Sequence, residues 1–274
     1  MANDLGRSVT NAYFFRENPI IHKLATVEDT DAEVSCTYAG IARKLLYFMV
    51  MVFVGVAVEL LLKTRLGGSV IEAEGVRMTS GEIIALVIMA ISLIVSPILA
   101  MLIKVTIPVT GALFCLSTGY VMTWVGTTFG KEYSSSIILA IILTAIVVSV
   151  MAFLYFTGKI HVTKKLRTVL ISLILTSVFG GLLSVILYLI PATRPMITSL
   201  KANMIINIGG SVIYIIIATL FLLVDFDTIR RTVDDGLPKK YEWWASFGLA
   251  FSVIWLFFKI LELISKLRGS KSKS

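Results

Sequence analysis

Charge is what this sequence has least of. Only 15% of its 274 residues are Asp, Glu, Lys or Arg, against roughly 25% in a soluble domain, which excludes a water-soluble globule of this length. Cysteine and histidine are nearly missing too. Cys36 and Cys115 lie far apart with no CxxC, and His22 and His161 stand alone. The cysteines report nothing on redox compartment, and a histidine-based metal site is not expected. No GxSxG, HExxH, phosphate loop or dinucleotide fingerprint occurs. The acids lie near the ends of apolar runs rather than paired inside them, so neither an enzyme, an intramembrane hydrolase included, nor a bound cofactor is expected. Residues 1–40 have no hydrophobic h-region, hence no expected cleavable signal peptide.

What is present is apolar length. The chain is 57% hydrophobic with a mean hydropathy of +0.91. Uncharged or nearly uncharged runs long enough to cross a bilayer, about 20 residues, fall at Leu45–Leu62, Ile83–Ile103, Val105–Phe129, Ser136–Gly158, Thr168–Ile190, Ala202–Val224 and Trp243–Ile264. Their length and lack of period-2 alternation argue against a β-barrel. They predict an all-α, polytopic membrane protein of seven transmembrane helices. The expected division is a polar arm over 1–40, a transmembrane domain over 41–267 and a basic tail over 268–274. The Leu66–Gly81 segment reads as an exposed, mobile loop. A net charge of +8 then points to lipid headgroups as the partner of the Lys and Arg side chains, rather than nucleic acid. Lys and Arg number 14 on the face of the N-terminus and 10 on the other, which favours a cytoplasmic N-terminus. Clusters of small residues at Gly111–Gly119, Gly126/Gly130, Gly180/Gly181 and Gly209–Ser211 predict close helix approach, with the lining of a pore or cavity as the alternative.

The few charges near the apolar runs carry the functional signal. Twenty-three uncharged residues lead to Val224, and Asp225, Asp227, Arg230, Arg231, Asp234 and Asp235 follow within "DFDTIRRTVDD". Asp227 has Arg230 and Arg231 at helical ion-pair spacing; Asp225 has no such cation at i±3 or i±4. An acid without a counter-charge that faced the bundle interior would lose its hydration, which disfavours ionisation. Lys259 interrupts the last run, with Glu262 at i+3 and Lys266 four further on. Glu59 and Lys63 read as an i, i+4 pair, and Lys104 as an interfacial anchor. If Gly236-Leu237-Pro238 is the turn between the last two helices, an antiparallel hairpin sets Asp225 opposite Gly248 or Leu249. Lys259 is then about 15 Å deeper.

The chain resembles the Bax inhibitor (transmembrane BAX-inhibitor-motif) family, in its bacterial branch. The matching stretches are "FTGKIHVTKKLR" at 156–167, "VDFDTIRR" at 224–231 and "YEWWASFGLAFSVIWLFFKILELI" at 241–264, with Asn18-Pro19 in the arm. The resemblance implies a seven-helix bundle with a central last helix, and a pH-dependent Ca²⁺ leak through two buried aspartates. By motif, the sixth-helix aspartate falls on Asp225, with Asp227 as the alternative, and Lys259 stands where the family has its seventh-helix acid. A basic latch at the end of the second helix falls on Lys104. An Asp225–Lys259 pair would be a standing salt bridge and would weaken the proton switch. The implied ion pathway or pH sensor is thus Asp225, Asp227, Lys259 and Glu262, in a bacterial cell membrane. The rival expectation is a regulator that binds a membrane protease or another membrane protein.

Overall fold

The computed structural model describes residues 35–65, 70–73, 76–129, 131–191, 193–195, 198–199 and 204–271. Asn18-Pro19, and the polar arm up to residue 34, lie outside the described residues. Among these, seven helices are long and apolar enough to cross a membrane: α1 (Tyr38–Arg65), α2 (Ser80–Leu102), α3 (Ile107–Thr128), α4 (Lys131–Phe156), α5 (Lys164–Leu189), α6 (Met204–Asp234) and α7 (Tyr241–Lys271). The expected seven-span, all-α architecture stands, and such helices place the protein in a lipid bilayer as a multi-pass integral protein.

Local chemistry sets the helix ends. Thr79 and Glu82 form a reciprocal capping box that starts α2. Thr163 accepts the Leu166 amide at the start of α5, and Pro108 sits in the first turn of α3. A 3₁₀ turn over Lys104–Thr106 joins α2 to α3 almost directly. The Leu66–Gly81 segment is not a plain loop. Val70–Ala73 (β1) pairs antiparallel with Val76–Thr79 (β2), since β-branched Val70, Ile71, Val76 and Thr79 favour a strand ladder over open coil. The last apolar run is one continuous helix through Lys259 and Glu262.

Helix α7 is central. All three buried clusters contain its residues: Ala245 and Leu249 with Leu222, Leu223 and Phe226 of α6, Phe247, Ala250 and Ile254 with Phe48 of α1 and Phe114 of α3, and Leu256, Ile260 and Ile264 with Ala140 of α4 and Ala218 of α6. Lipid offers helices no hydrophobic reason to associate, so close packing and hydrogen bonds must do it. Glycine supplies the closest approach: a methyl on Gly55 would collide with the Leu116 carbonyl, and one on Gly119 with the Val52 carbonyl. Gly180, Gly181, Gly209 and Gly210 differ, because a methyl there would meet nothing within 4 Å. Close packing therefore accounts for some of the small-residue clusters and not for these. Several hydroxyls inside the spans are satisfied locally, Thr118, Thr144, Thr219, Thr228 and Thr232 each donating to the carbonyl four residues back.

Candidate functional site

The charged stretch after Val224 does not end α6. The helix runs on through it to Asp234, because Arg231 pairs with Asp227 at i+4 and Arg230 with Asp234 at i+4. It then stops at Gly236, whose φ of +64° suits only glycine comfortably. The Gly236 amide donates to the Val233 carbonyl and the Leu237 amide to that of Thr232, at 3.0 and 3.2 Å, a Schellman ending. Asp225 consequently sits two turns inside a helix.

Its surroundings are those expected from the hairpin. Gly248 of α7 faces it, with Asp225 Oδ1 3.6 Å from where a Gly248 Cβ would lie. The groups that act on the carboxylate are the Ser252 hydroxyl of α7 and, electrostatically, the Arg167 guanidinium of α5. Asp225 Oδ2 is buried and has no hydrogen-bond partner. Asp227, two residues on, has the opposite character. It is 8% exposed and accepts from Arg231 Nε at 2.8 Å, Arg167 Nη2 at 3.2 Å and Tyr155 Oη at 3.3 Å. Asp227 also lines a polar cavity of about 260 Å³ with Tyr155, His161, Arg230, Arg231 and Asp234.

The structure does not bring the other expected residues to Asp225. Lys259 Nζ donates to Glu262 at 2.9 Å and lies 5.0 Å from the centre of the Tyr214 ring. Glu262 also accepts from Lys266 at 2.6 Å, and Lys266 reaches Ser211 of α6. These charges form their own network, which begins about 10 Å farther along α7 than Ser252 and ends about 21 Å beyond it by helical rise. Lys104 lies 5.9 Å from the ring centres of both Tyr241 and Trp244, at the start of α7.

Several partners escaped the sequence reading. Arg167 was legible only as a loop cation, and Ser252 as one more small residue in a span. Glu242 is 1% exposed; it pairs with Lys44 and accepts from the Thr37 amide and hydroxyl at 3.0 and 3.3 Å. The Ser246 hydroxyl donates to the Ile41 carbonyl at 2.9 Å. Alongside, the Cys36 amide donates to the Leu237 carbonyl at 2.8 Å and its thiol to that of Pro238 at 3.1 Å. Burial pushes the Cys36 thiol up to about 11, so it remains a donor at neutral pH. Together these bonds staple the start of α1 to the α6–α7 turn and the start of α7. The available signal was an acid, Glu242, in the first turn of a span, where the helix dipole favours it.

Seven spans, a central last helix and an aspartate near the end of the sixth with one unpartnered oxygen agree with the sequence comparison, which is decisive: a family described as Bax inhibitor 1 like matches residues 18–269. The chain belongs to that family. No curated protein and no solved structure matches it. In this Bax inhibitor 1 like chain the side chain facing the sixth-helix aspartate is a hydroxyl, Ser252, rather than an acid or Lys259.

Proposed function

We propose that this chain is a pH-sensitive cation leak pathway, permeable to Ca²⁺ and gated where α6 packs on α7. One observation supports this above the rest: Asp225 holds a buried carboxylate oxygen with no partner. An unpaired ionised carboxylate within a membrane costs several kcal/mol (roughly 2.5–3.5 on insertion scales), so it takes a proton or draws in a cation. Asp227 is already saturated by two guanidiniums and a phenol, which suits a fixed wall. The polar cavity it lines begins two residues along α6 from Asp225.

The sign of the pH response follows. Protonated Asp225 is neutral, packs against Gly248 and Ser252, and offers a cation nothing. As pH rises it ionises, and flux rises with it. In proteoliposomes loaded with a Ca²⁺ indicator, wild-type leak should increase from acid to neutral pH. Asp225→Asn should flatten that profile and cut neutral-pH flux about tenfold or more, the equivalent of roughly 1.4 kcal/mol at the site. Vesicles of the wild-type protein no leakier than empty ones would remove the proposal. The membrane is a bacterial cell membrane, and the face with more Lys and Arg, which carries the N-terminus and the 230–240 turn, lies in the cytoplasm.

A second reading, regulation by contact with another membrane protein, draws on α5. Most of that helix's apolar side chains are exposed, including Phe179, Leu182, Leu183 and Ile186, and Gly180 and Gly181 have open space beside them.

A further inference from the structure

Among the described residues, two carboxylate oxygens are buried without a hydrogen-bond partner: Asp225 Oδ2 and Glu59 Oε2. Glu59 lies near the end of α1 and is 2% exposed. The expected i, i+4 pair with Lys63 is not what holds it. Its Oε1 accepts from the Thr127 hydroxyl of α3 at 3.3 Å, and Lys63 acts on it only through space. Among the described residues, Glu82 of α2 and Tyr120 of α3 are the other titratable groups that act on it. From α7, the charges at this depth are Lys259, Glu262 and Lys266, and these bind one another. From α6, Ser211 is taken by Lys266. Among the described residues, then, Glu59 is a membrane-buried acid with no fixed counter-ion in contact.

Its depth gives it meaning. The Ser246–Ile41 bond sets α1 and α7 level near their starts, and both helices run the same way from there. Asp225 lies against Gly248, two residues past Ser246. Glu59 is eighteen residues past Ile41, which puts the two acids about 24 Å apart along the helix axes, on opposite halves of the bilayer. We infer that Glu59 is a second cation- and proton-binding station, serving the membrane face opposite to the one nearest Asp225. The inference rests on the leak reading, to which it adds a second binding point: a cation crossing such a distance through apolar packing needs more than one compensating charge.

The test uses proteoliposomes with the protein in one orientation, Ca²⁺ as the probe and pH stepped on one side at a time. Glu59→Gln should lose the response to pH on the side where α1 ends and keep the response on the other; Asp225→Asn should do the reverse. A Glu59→Gln protein that responds like wild type on both sides overturns the inference while leaving the leak intact. If wild type does not leak at all, the leak reading falls, and infrared difference spectroscopy on Ca²⁺ addition judges Glu59 by itself. A carboxylate band lost in Glu59→Gln keeps the site, and no such band in wild type removes it. If Glu59→Gln does not fold, Thr127→Val, which strips only the supporting hydroxyl, should weaken the same one-sided response, and an unchanged response would overturn the inference.

Discussion

Asp225 and Asp227 are two residues apart and differ in everything that decides a carboxylate's behaviour. One turns towards α7, where Gly248 and Ser252 give it space and a single hydroxyl. The other turns towards α4 and α5, where Tyr155 and Arg167 meet it. Spacing within one helix foretold the Arg231 pair but said nothing about α5, so the saturation of Asp227 was not readable from its own segment. Glu242 makes the same point. A buried ion pair adds little net stability when formed, yet removing one partner strands the other charge. Glu242→Gln should therefore lower unfolding stability in detergent by about 3 kcal/mol. Pairing it with Lys44→Met should recover much of the loss. A single variant as stable as wild type would show that Lys44 finds water instead.

Helix positions were legible because bilayer thickness imposes a length that composition cannot disguise, and all seven apolar runs became helices. Ends were less legible. The apolar run stopped at Val224, whereas i, i+4 pairs carried α6 on to Asp234 and the left-handed glycine stopped it. The register of α6 on α7 was readable, since a short turn leaves one antiparallel alignment and places Gly248 across from Asp225. That same register keeps Lys259 away from Asp225, and its Glu262 partner lay in plain view at i+3. At this scale the tightest contact is the crossing of α1 and α3. Gly119→Val should cost about 1–3 kcal/mol by overpacking, read by thermal unfolding in detergent. Gly209→Ala, with open space around it, should change little.

For the molecule as a whole, the sequence could show a membrane bundle but not which helices lean on which, and hence not that α5 stands with so little cover. If contact regulation operates, a photo-crosslinker at Gly180 should capture one membrane protein from native membranes, and a crosslinker at Gly119, sealed between helices, should capture none. Equal capture from both, or from neither, would dismiss the second reading. The staple joining Thr37, Ile41 and Lys44 to Glu242 and Ser246 has a mechanical consequence. It makes α1 and α7 a single strut, braced at the end where both begin. Any movement that uncovers Asp225 must then be a swing of α6 away from that strut, with the left-handed residue at 236 as its pivot.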